Sequence, residues 1–169
     1  IINFTGATIS WLRDQLQLIE NPAETETLAQ SVSDSDGVYF IPAFVGLSAP
    51  YWRSDVRAAI LGITPSTTRA HIVRAAVESI GYIVADVLKA MGEEAGVKLA
   101  TIHADGGAVR NTFLMQFVAD LNQLKVRAAQ TPELSALGAV FSGCLGLKVY
   151  ESLEDLKNLP SGFIEYRAS

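Results

Sequence analysis

The sequence predicts an α/β fold in which strands alternate with helices, and three observations support that prediction. A short apolar segment, a glycine and a helix-like segment open the chain. One long segment with helical periodicity occupies the middle, and two strand-plus-helix units follow it. Strands that alternate with helices pair in parallel through right-handed crossover connections, so we expect such pairs at the centre of the domain.

The first part of the chain is predicted to contain two helices and three strands. "IINF" has the composition of a strand, and apolar residues recur after it at helical spacing (Ile9, Leu12, Leu16, Ile19). After the polar connector "ENPAETE", "TLAQSV" is expected to be a short helix. "VYFIPAF" favours a strand ended by Pro42, and "RAAILGIT" favours a buried strand whose Gly62 marks a close backbone approach.

The longest periodic segment predicts one packed helix. The run Thr64-Pro65-Ser66-Thr67-Thr68 supplies helix start signals, and small or apolar residues then recur every three or four positions as far as Met91. Glycines end helices readily, so we expect the helix to stop near Gly92 or Gly96.

The remaining segments predict two strand-plus-helix units and a tail. "LATIHA" and "KVRAAQ" are expected to be strands, while "NTFLMQFVADL" and "ELSALGAVFSGCLG" are expected to be packed helices. The inward side chains of the first helix would be Phe113, Leu114, Phe117, Val118 and Leu121. A small helix over Leu153, Leu156 and Leu159 would precede a frayed end, so we expect one domain over 1–150 and a tail over 151–169.

Composition excludes several classes of protein. The net charge of −5, without clustered lysine or arginine, predicts no nucleic-acid partner. No apolar run reaches the ~18 residues of a membrane-spanning helix, and no signal peptide is evident, so we expect a cytoplasmic protein without membrane partners. The single cysteine, Cys144, is expected to be a buried, inert thiol. The chain begins without methionine, which suggests a piece of a longer protein.

The segment "TIHADGGAVRN", residues 101–111, carries the main candidate site. A strand that ends at Asp105-Gly106-Gly107 and passes into a helix presents backbone N–H groups where the helix dipole favours anions. Asn111 lies one turn beyond Gly107 and can both donate and accept hydrogen bonds. Asp105 could orient a metal-bound water or a phosphate's counter-ion. A glycine pair can also serve turn geometry alone, so this motif by itself leaves both readings open.

Other chemistries find little support in the sequence. There is no GxxxxGK[ST] phosphate loop, and "GLSAP" lacks the last glycine of a nucleophile elbow. His71 and His103 are expected to be surface or structural residues, and no His/Cys/Asp/Glu cluster has metal-ligand spacing.

The segment "AAILGITPSTTRAHIVRAAVE", residues 58–78, resembles the second sequence signature of the FGGY family of carbohydrate kinases throughout its length. The segments "TGATISWLRD", "GVYFIPAFVGLSAPYW" and "DGGAVRNTFLMQFVADL" are similar in wording and order to the family members that phosphorylate glycerol rather than pentuloses.

The resemblance implies a fold and a nucleotide site. FGGY kinases have two ribonuclease-H-like (actin-like ATPase) domains, each an α/β domain with a mixed sheet and helices on both faces, which close on ATP, Mg²⁺ and a sugar or polyol. The residues implied to contact or border the nucleotide are Gly6, Ser10, Asp105, Gly106, Gly107 and Asn111. Of these, Gly6 and Gly107 would lie against the nucleotide and Asn111 would reach its adenine end.

The resemblance also implies what this chain lacks. The catalytic aspartate, the polyol-binding residues and the turns that hold the β- and γ-phosphates belong to family segments that precede Ile1. We therefore expect no catalytic residue and no metal ligand here, and a requirement for the N-terminal kinase domain as partner. The substrate is expected to be ATP with a small polyol, glycerol by wording alone, and the sequence leaves a homo-oligomer open.

The chain departs from the family pattern in two places, and the departure at Ser10 supports an alternative reading. Ser10 stands where glycerol-phosphorylating members have glutamine, and Arg53-Ser54 stands where Asp-Pro is usual. Because serine is shorter than glutamine, one polar contact with the nucleotide would be lost or would be made by a water molecule instead. The alternative is a non-catalytic structural or regulatory module of the same fold that no longer binds nucleotide. A chaperone-type ATPase is disfavoured because it would not predict the signature at residues 58–78.

Overall fold

The computed structural model describes residues 5–131, 134–157 and 162–169, and within them the chain is an α/β domain. The predicted strand "IINF" lies outside the described residues. The elements, in chain order, are α1 (Gly6–Asp14), α2 (Glu24–Gln30), β1 (Tyr39–Ile41), β2 (Ala59–Leu61), α3 (Arg69–Ala95), β3 (Thr101–Ala104), a 3₁₀ turn (Gly107–Arg110), α4 (Thr112–Asn122), β4 (Lys125–Ala129), α5 (Leu134–Gly146), α6 (Leu153–Lys157) and β5 (Phe163–Tyr166).

The core consists of two hydrophobic clusters that both include residues of α3. One cluster joins the sheet to α3 and α4 through Val77, Ile80, Leu114, Val118 and Val126, among others. The other joins α1 and β1 to α3 through Leu12, Val38, Phe40, Val73 and Ala76, among others. Because α3 contributes to both clusters, it is the element against which the two ends of the domain are assembled.

Helix α1 confirms the predicted N-terminal helix but is shorter than its apolar pattern. It ends at Asp14, and Gln17 adopts a left-handed φ of 54°. Helix α2 begins earlier than predicted, at Glu24, because local hydrogen bonds organise the connector. The Glu24 carboxylate accepts the backbone N–H of Asn21 (3.2 Å), and the Thr25 hydroxyl donates to the Pro22 carbonyl (2.6 Å).

Strands β1 and β2 form an antiparallel pair, with Phe40 opposite Ile60. The prediction that β2 is buried is wrong, since Leu61 is 53% exposed and β2 has one strand neighbour among the described residues. The predicted close approach at Gly62 is confirmed. A Cβ built on Gly62 would collide with the carbonyl oxygen of Gly37, and its φ of 81° is itself left-handed.

Helix α3 confirms the predicted long helix and both of its ends. Thr68 caps its start, where the backbone N–H of Thr68 donates to Nδ1 of His71 (3.0 Å). Gly96 ends it in the left-handed conformation (φ 64°). His71 is therefore a structural residue, as predicted. No helix within the described ranges is long and apolar enough to cross a membrane.

Arg74 and Glu78 of α3 tie three helices together. The Arg74 guanidinium donates to Glu78 (2.8 Å) and to the carbonyls of Ala29 (3.0 Å) and Val32 (2.6 Å), which lie at and just beyond the end of α2. It also lies over the ring of Phe113 on α4, 4.9 Å from the ring centre. The residues of the 58–78 segment named here thus hold the fold together.

Strands β3, β4 and β5 form a mixed sheet. β3 and β4 pair in parallel, as predicted, and β5 joins β4 in antiparallel register with Ala128 opposite Ile164. The prediction of a frayed end is wrong for residues 163–166. The segment extends the sheet because the Gln130 backbone N–H donates to the Gly162 carbonyl (3.0 Å) and opens the ladder. The predicted helix before it is confirmed over Leu153–Lys157 as α6, and Leu159 lies outside the described residues.

Helix α4 packs on this sheet through a face slightly different from the predicted one. Leu114 and Val118 are buried as predicted, but Met115 and Ala119 are buried too, and Leu121 is 39% exposed. The helix starts at Thr112 with Asn111 as its cap, which sets the phase of the buried face.

Helix α5 corrects two predictions. Its sequence, without a charged residue, indicates a packed helix, but Val140 is 58% exposed and none of the described elements packs broadly against α5. Cys144 is a free thiol and only partly buried, so the prediction of a buried thiol is wrong. Hydrophobic periodicity shows that a helix has an apolar face and does not identify the surface that covers it.

Candidate functional site

The turn after β3 is built around Gly106. This residue has φ 85° and ψ −173°, a conformation open essentially to glycine alone, and it turns the chain from β3 into the 3₁₀ turn. Val109 is buried in the core and anchors the turn from below. Asp105 and Gly107 are exposed. The amides of Gly107 and Ala108 begin the 3₁₀ turn, so its ladder supplies no carbonyl for them.

Gly107 and Gly6 share a property that distinguishes them from packing glycines. Neither has a left-handed φ, and a Cβ built on either meets no protein atom within 4 Å. At Gly81, in contrast, a Cβ would lie 2.5 Å from the Phe117 ring. Neither backbone conformation nor packing within the described residues requires glycine at 6 or 107, which leaves room there for a ligand to approach the main chain.

Asn111 lies between the 3₁₀ turn and α4 and is held at both ends of its amide. Its Oδ1 accepts the backbone N–H of Leu114 (2.8 Å), which makes Asn111 the N-cap of α4. Its Nδ2 donates to Oγ1 of Thr25 on α2 (3.1 Å). Each end keeps one hydrogen-bonding position, because Nδ2 carries a second proton and Oδ1 a second lone pair.

The contact with α2 was not foreseen from the sequence. Thr25 is only 2% exposed, and its neighbour Glu26 accepts a hydrogen bond from the Thr112 hydroxyl. Both contacts join residues 86 positions apart. A local sequence signal was available only for the cap, since asparagine before a helix is a common N-cap.

Gly6 and Ser10 form the second group of predicted site residues. Both lie on α1, one turn apart and therefore on the same side of the helix. Ser10 is partly exposed. The structure links α1 to the turn through the core, because Ile9 packs against the cluster that contains Val109 as well as against the N-terminal cluster.

The predicted residues thus form two groups rather than one enclosed pocket. Asp105, Gly106, Gly107 and Asn111 follow one another along a single turn, and Gly6 and Ser10 lie on α1. The candidate site is an open surface. A depression of about 450 Å³ lies elsewhere, beside Lys98, Lys125 and Arg167, and includes none of the predicted site residues.

The parts of the chain that the structure describes contain no group of three or more His, Cys, Asp or Glu side chains arranged to hold a metal ion. His103 packs against the Phe163 ring edge to face (5.6 Å), as a structural residue does.

Comparisons with known proteins identify the family. Residues 1–147 match the FGGY family of carbohydrate kinases, C-terminal domain. The chain is 47% identical to a glycerol kinase of Shewanella frigidimarina over 97% of this chain and 33% of the relative. It is 50% identical to a glycerol kinase of Pseudothermotoga lettingae over 90% of this chain and 30% of the relative. The chain therefore spans about a third of the relatives it matches.

Solved structures agree with this assignment. The Plasmodium falciparum glycerol kinase with ADP superposes with a TM-score of 0.86 and 34% identity, covering 99% of this chain and 33% of that one. A xylulose kinase of Lactobacillus acidophilus, at 22% identity, shows the same fold with a TM-score of 0.78, over 99% of this chain and 34% of that one. The actin-like α/β fold predicted from the resemblance is confirmed, and the chain belongs to the C-terminal domain of the FGGY family of carbohydrate kinases.

Proposed function

We propose that residues 1–150 carry the adenosine-binding domain of an ATP-dependent polyol kinase and that 151–169 follow it as a tail whose strand β5 joins its sheet. The family match over residues 1–147 supports this division. The relatives named glycerol kinases support glycerol as the polyol, and the structural neighbour solved with ADP supports a nucleotide ligand. The protein would work within a longer polypeptide, because its relatives are about three times as long.

The observation that carries the proposal is the unexplained glycine at 107. Neither the backbone conformation nor the packing of the described residues requires a residue without a side chain at 107. Asn111, one turn further along the chain, is an N-cap whose amide keeps one donor and one acceptor position free. Adenosine fits such a surface. Its ribose and base can lie on the main chain at Gly107 and, from the side of α1, at Gly6, while Asn111 meets the base edge.

The other predicted residues would border the nucleotide. Ser10 lies on the same side of α1 as Gly6 and would offer a short hydroxyl, and Asp105 with Gly106 would form the rim of the turn. The opening amides of the 3₁₀ turn favour negative charge nearby.

Phosphoryl transfer would then take place at the boundary with the rest of the polypeptide. The γ-phosphoryl group of ATP passes to a hydroxyl of glycerol, giving ADP and glycerol 3-phosphate, and the hydroxyl proton goes to a carboxylate base outside this chain. Mg²⁺, when bound with ATP, neutralises charge on the phosphates. We assign its protein contacts to the remaining polypeptide. A cytoplasmic location is part of the proposal.

The test is calorimetric titration of the 169-residue chain with Mg·ATP and Mg·ADP. We expect weak binding that falls about fivefold or more in Asn111→Ala, because a bidentate contact to a base edge is worth about 1–3 kcal/mol. Binding should fall in Gly107→Val as well, because the valine side chain would occupy the main-chain surface proposed to contact the nucleotide. Gly138→Val on α5 is the matched control, since its Cβ also meets no protein atom. Equal binding by wild type and Gly107→Val would overturn the assignment of the turn.

A second arm separates this domain from a module that has lost nucleotide binding. If the chain does not bind millimolar nucleotide, the titration is repeated on the complete polypeptide that carries it. Binding there, lost in Gly107→Val, supports the proposal, and no binding in either protein establishes the non-catalytic alternative. Robust glycerol phosphorylation by the 169-residue chain alone would contradict the proposed division of labour.

A further inference from the structure

We propose that Thr25 is a specificity-determining positioning residue, which fixes the amide of Asn111 in the orientation that selects adenine over guanine nucleotides. This inference rests on the proposed function. It concerns a residue on another helix that would not itself touch the nucleotide.

The neighbours of the Thr25 hydroxyl determine that it accepts the hydrogen bond from Asn111. The Thr25 hydroxyl lies 2.6 Å from the Pro22 carbonyl, an oxygen that can only accept, so the hydroxyl proton is committed to that carbonyl. Oγ1 can then offer only a lone pair to Asn111, 3.1 Å away. The atom that faces Thr25 must therefore be Nδ2.

The other end of the Asn111 amide is fixed by the backbone of α4. The backbone N–H of Leu114, 2.8 Å away, can only donate, so the atom that faces it must be Oδ1. The two neighbours impose the same orientation from opposite sides. Rotating the amide by 180° would break two hydrogen bonds and bring N–H against N–H and lone pair against lone pair.

The orientation of the Asn111 amide decides which hydrogen-bonding pattern of a purine base it can match. Adenine presents a donor at N6 beside an acceptor at N1 or N7, which matches the remaining acceptor and donor of one carboxamide. Guanine presents an acceptor at O6 beside the donor N1–H, which is the reverse order and suits the rotated amide. At its other edge guanine presents two acceptors, O6 and N7, and neither orientation satisfies both. For a base held in one position, an amide locked by Thr25 is therefore complementary to only one of the two bases, which the proposed function makes adenine, whereas a rotatable amide can accommodate either.

The burial of Thr25 strengthens its hold on the orientation of the Asn111 amide. Thr25 is 2% exposed, so water does not readily replace either of its hydrogen bonds. The adjacent bond between Thr112 and Glu26 also joins α2 to α4 without touching Asn111. This second tie offers a control that loosens the same pair of helices and leaves the amide alone.

The experiment measures the ratio of GTP to ATP dissociation constants in the complete polypeptide, for wild type, Thr25→Val, Thr25→Ser and Thr112→Val. In Thr25→Val the rotated amide loses one bond instead of two, so we expect the preference for ATP to fall about threefold to tenfold. Thr25→Ser keeps the hydroxyl and should restore the wild-type ratio, and Thr112→Val should not change it.

A structural readout accompanies the ratio. The Asn111 side-chain amide protons, followed by ¹⁵N-edited NMR, should exchange with water clearly faster in Thr25→Val, which removes the acceptor of Nδ2, than in Thr112→Val, which leaves that acceptor in place. If Thr25→Val does not fold, Thr25→Cys keeps the volume with a weaker acceptor and should give an intermediate ratio. An unchanged ratio in folded Thr25→Val, or an equal change in Thr112→Val, would overturn the role of Thr25 alone. Absence of nucleotide binding by wild type would instead overturn the proposed function, and this inference with it.

Discussion

At the scale of single residues, the glycines of this chain fall into two groups with different physical causes. Gly62 is glycine because its φ is left-handed and the Gly37 carbonyl occupies the place of a side chain. Gly107 has neither constraint. The first residue serves the fold, and the second is free to serve a ligand.

This difference predicts opposite effects of the same substitution. Gly62→Ala should lower the free energy of unfolding by about 2–4 kcal/mol, from the strained φ together with the collision with Gly37. Gly107→Ala should change it by no more than about 0.5 kcal/mol, as surface substitutions usually do. Urea denaturation of both variants checks this. A Gly107→Ala protein as unstable as Gly62→Ala would show that the turn needs glycine for its own structure.

Sequence reasoning succeeded for residues whose role is local. Gly96 and the structural role of His71 could be predicted because each depends on the chain immediately around it. Gly62 could be predicted because a glycine inside a strand pattern often marks a close backbone approach, although the sequence did not identify Gly37 as the neighbour. The partnership of Thr25 with Asn111 could not, since their contact depends on how α2 is laid against α4. The nucleotide-contacting roles of Gly6, Ser10, Asp105, Gly107 and Asn111 stay predictions.

At the scale of elements, the junction of α2, α3 and α4 depends on one buried cation. Arg74 serves a carboxylate, two carbonyls and an aromatic ring, and its side chain and that of Glu78 are largely shielded from solvent. Such a pair contributes little net stability when compared with apolar residues of the same volume, but removing one partner leaves a buried charge uncompensated.

We therefore expect a non-additive pattern when the pair is replaced. Arg74→Met should cost about 3–5 kcal/mol of unfolding free energy, because Glu78 and two carbonyls lose their partner. Arg74→Met combined with Glu78→Leu should recover a substantial part of that loss. Chemical denaturation of the two single variants and the double variant completes the thermodynamic cycle. Additive losses would mean that the two side chains do not act as a pair.

Helices and strands could be predicted where the repeat of apolar residues agrees with the residues that begin and end such elements. The start and end of α3 follow from Thr68 and Gly96, and β3, β4 and α4 follow from apolar patterns bounded by turns. Strand β5 was missed because "GFIEY" is too short to show a period and is fixed by pairing with β4. The exposure of α5 was not predicted because an apolar pattern does not show which surface, if any, covers the helix.

At the scale of the whole molecule, the last residues are attached to α4 through Asp120. Its carboxylate accepts the backbone N–H of Ser169 (2.9 Å), the side chain of Gln116 (2.9 Å) and the Ser169 hydroxyl (3.1 Å). Desolvation raises the pKa of Asp120, but these hydrogen bonds outweigh it and the pKa lies below its ordinary value of 3.8.

The direction of this shift sets a pH dependence. A carboxylate with a lowered folded pKa stabilises the fold at pH values above 3.8, and the contribution disappears as the pH falls from there through the folded pKa. Asp120→Asn should be less stable than wild type by at most about 1 kcal/mol at pH 7, because the site is partly exposed. The gap should narrow below pH 3.8. Urea denaturation at both pH values measures it, and a gap that widens in acid would contradict the assignment.

The hydrogen bond between Thr25 and Asn111 has a consequence for synthesis of the protein. The two residues are separated by 86 positions, and ribosomes add about 5–20 residues per second, so α2 leaves the ribosome roughly 4 to 17 s before its partner. During that interval a nascent chain carries Thr25 without the amide that it will orient. The surface proposed to select adenine therefore forms only after Asn111 has been synthesised, in the step that closes α2 onto α4.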